Sequence, residues 1–172
     1  ATIGEKAWAQ RSLGWALCRS GETTRGVELL TKVLPIFRAG RFITSEINLT
    51  CFLGEGYWLA REDDKARQTL EKGLEIAERY GTRYYVGFTR RLLGEIALKT
   101  NPTQAALHFE KSIVIFREIM AENELALAYA GYGRLHKHQG EIAQAREYLT
   151  KALEIFKRLG TLIEPDRIRE EL

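Results

Sequence analysis

The sequence predicts an all-α fold in which four helical hairpins repeat every 39 or 40 residues and a short C-terminal helix follows. Two columns of residues support this prediction. Glycines recur inside apolar helical patterns at Gly14, Gly54, Gly94 and Gly133. Small residues recur with the same spacing, each followed four residues later by a large apolar one; the pairs are Gly26 with Leu30, Ala66 with Leu70, Ala105 with Phe109, and Ala145 with Leu149. Because a helical glycine lets a second helix approach closely, each pair of columns predicts one hairpin.

The individual helices lie between the turn signals of each repeat. First helices are predicted over residues 4–19, 43–61, 83–99 and 122–139, and second helices over 23–38, 64–79, 102–119 and 141–159. The repeats therefore span 4–40, 43–80, 83–120 and 122–160. A tail helix over 163–172 is expected to cover the last hairpin, and all elements belong to one domain of residues 1–172.

Three features depart from a regular repeat. One residue is missing in the third repeat, near a predicted N-cap at Asn101 and a first helical residue at Pro102, where a loop absorbs the deletion. Pro35 lies inside the second helix of the first repeat and is expected to kink or shorten it. Gly26 stands where later repeats have alanine, which weakens the same helix. We therefore expect the first repeat to be the least stable.

The fourth hairpin, GRLHKHQGEIAQAREYLTKALEIFKRLG over residues 133–160, is the clearest. Its small residue in the first helix, small residue early in the second and large apolar residue four later resemble the tetratricopeptide repeat. That resemblance implies a right-handed superhelix whose inner groove is formed by the first helices. The period exceeds the usual 34 residues, so both helices of each hairpin are expected to be longer.

Two segments narrow the resemblance. LLGEIAL before Asn101, and GEIAQAREYLTKALEIFKRLGT, resemble the long-period repeats of large bacterial signalling proteins. In those families the repeats follow an ATPase module that is joined to a cyclase, kinase or DNA-binding output domain. The resemblance implies a cytoplasmic sensor or assembly arm.

Composition and motifs exclude several function classes. The 26 basic and 23 acidic residues are spread along the chain, so no nucleic-acid or anionic-membrane footprint is expected. Cys18 and Cys51 are too few for a disulfide framework, and His136 and His138 point to different helix faces, which makes them a poor metal pair. No catalytic constellation, metal site or cofactor is predicted, and we expect a protein that is not an enzyme.

The predicted groove consists of first-helix positions that face away from the partner helix. All three tryptophans of the chain fall on this face, where they either line the groove or pack between neighbouring first helices. The carboxylate clamp of chaperone-binding relatives is absent, because its positions carry aromatic residues, Leu92 and one arginine. The candidate groove residues are Trp8, Arg11, Trp15, Asn48, Phe52, Glu55, Trp58, Phe88, Arg91, Glu95, Arg134 and Lys137.

One recurring groove position carries Trp15, Glu55, Glu95 and Arg134. Adjacent first helices pack about 10 Å apart, so Glu95 is expected to pair with Arg134, and Arg11 or Arg91 to reach Glu55. Because exposed pairs contribute about 0–1 kcal/mol, substitutions such as Arg134→Glu or Trp58→Ala are expected to affect binding more than folding.

The sequence therefore predicts a non-catalytic scaffold that binds a protein or peptide in the groove. The expected partner is an extended or helical peptide with an apolar anchor and one or more charges. Two alternatives remain open at this stage. One is a self-association arm that forms a homo-oligomer, and the other is a small-molecule effector sensor that uses the same groove.

Overall fold

The computed structural model describes residues 3–161 and 163–172, and within these ranges it contains nine α-helices and no β-strand. The predicted all-α fold is therefore confirmed, and every predicted helix end lies within two residues of the observed one. The helices are α1 (Ile3–Arg19), α2 (Thr23–Ala39), α3 (Ile43–Leu59), α4 (Asp63–Arg79), α5 (Arg83–Ala97), α6 (Pro102–Glu118), α7 (Glu122–His138), α8 (Ile142–Leu159) and α9 (Glu164–Glu171).

Most helices are followed, one or two residues beyond their last residue, by a residue with left-handed backbone conformation. The backbone N–H of the residue after it donates a hydrogen bond to the carbonyl five residues earlier, as Glu62 N–H does to Tyr57 O at 2.9 Å. This gives a carbonyl in the last turn of the helix a hydrogen-bond partner. The turn before α6 differs, because the missing residue falls there. In that turn Asn101 Oδ1 accepts a hydrogen bond from the backbone N–H of Gln104 at 3.2 Å, which confirms the predicted N-cap. The left-handed residues are Gly21, Arg41, Arg61, Gly81, Met120, Gly140 and Gly160.

Met120 carries a conformational cost at such a turn. Its φ is +56°, a conformation that costs an L-residue about 1 kcal/mol or more relative to glycine. Its side chain is 82% exposed, so removing it loses little packing. Met120→Gly is therefore expected to raise the free energy of unfolding by about 0.5–1 kcal/mol, measured by denaturant unfolding. Met120→Ala is the control: it keeps the Cβ and should gain nothing, so an equal gain in both variants would contradict this explanation.

Inside each hairpin the two columns of the sequence repeat meet. The four helical glycines face the large apolar residues of the partner helix, and an added Cβ would come within about 3 Å of them. The distances from such a Cβ to the nearest side-chain atom are 3.0 Å for Gly14 and Leu30, 2.6 Å for Gly54 and Leu70, 3.0 Å for Gly94 and Phe109, and 2.8 Å for Gly133 and Leu149. The close helix approach expected from these glycines is therefore present in all four hairpins.

The chain divides into two compact units, and the boundary falls inside α5. In unit 1 (Ala1–Tyr85), α1 packs on α2 and α3 packs on α4, while α1 and α2 both contact α3 around Leu30, Val33 and Phe37. In unit 2 (Val86–Leu172), α7 packs on α6 and α8. The tail helix α9 covers α8 as expected, and it buries Pro165 and Ile168.

Pro35 does not shorten α2, so the shortening, one of the two effects expected from the sequence, is absent. Helix α2 has 17 residues, the same length as α4 and α6. Proline removes the hydrogen bond to the carbonyl of the residue one turn earlier, here Thr31. Both residues are exposed, so the Thr31 carbonyl is open to solvent hydrogen bonding and is not left buried without a partner.

Candidate binding surfaces

The unit 1 surface is defined by the candidate residues on α1 and α3, of which Asn48 and Glu55 are buried and do not themselves face solvent. Glu55 is only 4% exposed. Trp15 Nε1 donates a hydrogen bond to Glu55 Oε2 at 2.7 Å, and Arg19 Nη1 lies 3.4 Å from Oε1. The Trp15 indole also stacks on Phe52, with centroids 4.5 Å apart and planes at 12°. A buried carboxylate needs polar partners, and α1 supplies both of them.

The guanidinium that reaches Glu55 within unit 1 is therefore Arg19 and not the expected Arg11. Arg19 follows Trp15 by four residues, so both side chains lie on one face of α1. The Arg19 guanidinium also lies over the Trp15 ring, 5.3 Å from its centroid. A search for residues four positions from Trp15 would have found this arginine in the sequence.

Arg11 occupies a different environment. Its guanidinium carbon lies 4.4 Å from the centroid of the Trp8 ring, a cation–π contact. Burial lowers the pKa of Arg11, and the nearby Tyr85 hydroxyl partly opposes this. Arg11 Nε is buried without a hydrogen-bond partner. Among the described residues, no carboxylate forms an ion pair with Arg11.

Asn48 lies in the same region of unit 1, on α3. Its Nδ2 donates a hydrogen bond to Tyr85 Oη at 2.8 Å, while its Oδ1 is buried and accepts none. Asn48 itself is only 7% exposed. Burial raises the pKa of Tyr85, so its hydroxyl is neutral at physiological pH. Tyr85 was not among the candidates, because it begins the third repeat in sequence.

The three tryptophans divide between the two roles considered above. Trp15 packs between α1 and α3. Trp8 is 44% exposed and contacts Phe37 edge-on at 5.2 Å. Trp58 is half-buried on α3. Unit 1 therefore has one exposed tryptophan ring, Trp8, and one partly exposed ring, Trp58.

In unit 2, Phe88 and Arg91 do not line an open surface, which corrects two candidates. Phe88 is 2% exposed and Arg91 is 4% exposed. Arg91 Nε donates a hydrogen bond to Glu124 Oε2 at 3.2 Å, and Nη2 lies 3.2 Å from the same oxygen without hydrogen-bond geometry. Helix packing brings these residues together although they are 33 positions apart, so the repeat spacing gave no signal for the pair.

The other unit 2 candidates form a charged cluster. Arg134 Nη2 donates a hydrogen bond to Glu95 Oε1, as the sequence predicted. Arg134 Nη1 also lies 3.3 Å from both carboxylate oxygens of Glu171 on α9, and Lys137 Nζ donates to the Glu171 backbone carbonyl. Burial alone would lower the pKa of Arg134, but Glu95 and Glu171 raise it. The tail helix thus occupies these two cationic positions of α7.

The described residues were also assessed for metal-binding groups and for membrane-spanning helices. Over the described ranges, no group of three or more His, Cys, Asp or Glu side chains is placed to hold a metal ion. None of the helices built from described residues is both long and apolar enough to cross a bilayer.

Comparisons with known proteins agree with this architecture. Residues 126–158, in α7 and α8, match the family model of the tetratricopeptide repeat. No curated protein sequence matches the chain.

Several solved structures share the fold. Aspartyl phosphate phosphatase F from Bacillus subtilis has a TM-score of 0.83 at 17% identity over 98% of this chain and 45% of that protein. The apo form of RapI has a TM-score of 0.79 at 15% identity, covering 93% of this chain and 59% of RapI. BtubC (BKLC) from P. vanneervenii has a TM-score of 0.62 at 15% identity, covering 99% and 90%.

The chain spans about half the length of the first two of these solved proteins. At such low identities the likeness shows the fold alone, whereas the family model identifies one repeat directly. The chain therefore has a tetratricopeptide-type helical-repeat fold, and its residues 126–158 match the model of the tetratricopeptide repeat.

Proposed function

We propose that this chain is a non-catalytic scaffold that binds a protein or peptide partner on the unit 1 surface. Repeats of this type support protein binding in general. The exposed ring of Trp8 and the partly exposed ring of Trp58, both on first helices, carry the proposal. Tryptophan and arginine side chains supply most of the energy of protein interfaces, and here Arg11 lies directly on Trp8.

The acidic groups of the candidate surfaces support a non-catalytic role. Glu55 is held by Trp15 and Arg19, and Glu95 is held by Arg134. Carboxylates engaged in this way stabilise helix packing and are not poised as general acids or bases.

We propose the wider context from two observations. The long-period repeats resemble those of bacterial signalling proteins, and a structural neighbour comes from Bacillus subtilis. These support a cytoplasmic regulatory region that positions a partner. Helix α5 runs without a break through the boundary of the two units, which supports a single repeat domain.

Trp58→Ala tests the binding proposal. The full chain is labelled and applied to an array of random 12-residue peptides, and Kd values are measured for the peptides that bind. Because truncating a tryptophan anchor removes about 2 kcal/mol of binding energy, the variant is expected to bind at least about tenfold more weakly. Its melting temperature should change little, since the ring is only half-buried.

Ile36→Ala is the matched control, because Ile36 is also partly exposed but lies on the second helix α2. It should bind the same peptides with unchanged Kd. If no peptide binds saturably, the proposed function is wrong. If the mass in light scattering instead rises with protein concentration and Trp58→Ala abolishes that rise, the surface is a self-association site.

A further inference from the structure

We infer that the solvent-exposed face of α6 in unit 2 is a second docking surface, which binds an acidic amphipathic helix of a partner protein. The inference goes beyond the proposed function, because α6 is a second helix and its exposed face is not part of the groove of first helices. Leu107 and Val114 lie on this face and are 40% and 50% exposed. Positions i and i+7 fall on the same side of a helix, so the two side chains form one apolar stripe.

The other second helices carry mostly acidic residues at the same two positions of the repeat, and all of these residues are exposed. The equivalents of Leu107 in α2, α4 and α8 are Glu28, Gln68 and Glu147, and those of Val114 are Pro35, Glu75 and Glu154. The hairpins therefore pack without an aliphatic side chain at either position. An aliphatic pair on one exposed face, where equivalent helices are polar, indicates a surface that a partner covers.

Lys111 lies on α6 between these two aliphatic residues. Its equivalent in α8 is Lys151, whose ammonium pairs with Glu147 one turn earlier in the same helix. In α6 the position of that glutamate is occupied by Leu107, and no carboxylate of the described residues forms an ion pair with Lys111. Compared with α8, helix α6 keeps the cation and lacks the acid that neutralises it.

The charges around the stripe favour an acidic partner. Burial and the nearby cations Arg90 and Lys111 lower the pKa of His108, which shows that two positive charges lie close to this side of α6. The neighbouring carboxylate, Glu110, accepts a hydrogen bond from Tyr132 Oη at 2.8 Å and is thus held by α7. A partner with negative charge complements this potential, which speeds encounter and fixes the register of docking.

A helix matches the spacing of these groups. Two apolar anchors two turns apart, with a cation between them, complement a helix that has aliphatic residues at i and i+7 and an acid at i+4. A second copy of α6 does not supply this chemistry. In a two-fold contact between two such stripes, the Lys111 side chains at their centres would face each other and repel.

The test uses three fluorescein-labelled, lactam-stapled helical peptides and the full chain in solution. Two of them have leucines at i and i+7 and differ only at i+4, which is Glu or Lys. The third keeps the Glu and has serines in place of the leucines. Fluorescence anisotropy should show that wild type binds the Glu peptide saturably and about tenfold more tightly than the Lys peptide, because attraction to Lys111 replaces repulsion. The serine peptide should not bind, since it lacks the apolar anchors.

Three variants isolate the surface. The double variant Leu107→Glu/Val114→Glu installs the residues that α8 has at both positions, so its melting temperature should change little while binding of the Glu peptide is lost. Lys111→Glu should reverse the preference, with the Lys peptide binding more tightly. Lys72→Glu is the matched control, because Lys72 is exposed at the equivalent position of α4 and should leave the preference as in wild type.

Equal binding of the Glu and Lys peptides by wild type, no saturable binding of the Glu peptide, or binding that survives in the double variant would overturn this inference. A mass in light scattering that rises with concentration, and no longer rises in the double variant, would also overturn it, because the occupant would then be a second copy. Trp58→Ala should bind the Glu peptide as wild type does, so failure of the proposed function and failure of this inference are distinguishable.

Discussion

Arg134→Glu is expected to lower the free energy of unfolding by about 3 kcal/mol, because it breaks a largely buried ion-pair network and leaves its acids unpaired. Glu95 keeps only 8% of its side chain exposed, and Arg134 keeps 33%. In the variant, a third carboxylate would replace the guanidinium that now joins Glu95 to Glu171. Like charges at this distance repel, and Glu95 cannot turn into water from its buried position. Urea unfolding followed by circular dichroism measures the loss.

Arg158→Glu is the matched control for this charge reversal. Arg158 pairs with Glu122 at 2.8 Å, but the two side chains are 59% and 40% exposed. Reversing an exposed charge of this kind costs about 0–1 kcal/mol, and salt screens it. Equal losses in the two variants would mean that burial of Glu95 does not set the energy of the Arg134 network.

This expectation reverses the one drawn from the sequence, in which Arg134→Glu spared the fold. The partner was predicted correctly, because Glu95 and Arg134 occupy equivalent positions in neighbouring repeats. The burial of Glu95 was not predicted, because the repeat spacing contains no information about how deeply a side chain is buried. The third member, Glu171, belongs to the tail helix, for which the repeat pattern gave no register.

The candidate groove residues of both units show the same limit of the repeat pattern, which does not report burial. The repeat columns placed Trp15, Phe52 and Glu55 together, and these side chains do meet between α1 and α3. The columns also placed Phe88 and Arg91 on an open face, although both are buried. Equivalent positions differ because neighbouring side chains of different size cover them differently, and a periodic pattern does not contain that information.

At Gly26, a comparison with the equivalent positions of the other repeats is misleading. The other repeats have Ala66, Ala105 and Ala145 there, all with at most 3% exposure. Restoring the alanine would be expected to strengthen α2 by about 1 kcal/mol on helix propensity alone. The local packing opposes this, because a Cβ on Gly26 would lie 2.6 Å from the Gly14 carbonyl oxygen and 2.8 Å from the Cys18 backbone nitrogen.

Gly26→Ala is therefore expected to destabilise the protein by about 2 kcal/mol, since overpacking costs about 1–3 kcal/mol or more where atoms cannot move aside. Backbone atoms of α1 cannot rotate away as a side chain can, so α1 and α2 must separate and expose part of the core around Leu30. Both thermal and urea unfolding should show the loss.

Gly73→Ala provides a control of opposite sign within the same unit. Gly73 is a buried glycine in α4, and its added Cβ would meet Thr50 Cγ2 at 3.4 Å and Cys51 Sγ at 3.5 Å, which are ordinary contact distances. With no clash to relieve, the propensity gain remains, and this variant should be more stable than wild type by about 1 kcal/mol. The two glycine-to-alanine changes must therefore move the unfolding midpoint in opposite directions. A gain in both variants would show that helix propensity alone governs these positions and that the close approach of α1 to α2 at Gly26 is not rigid. A loss in Gly73→Ala would show that the room at Gly73 is smaller than its contact distances indicate.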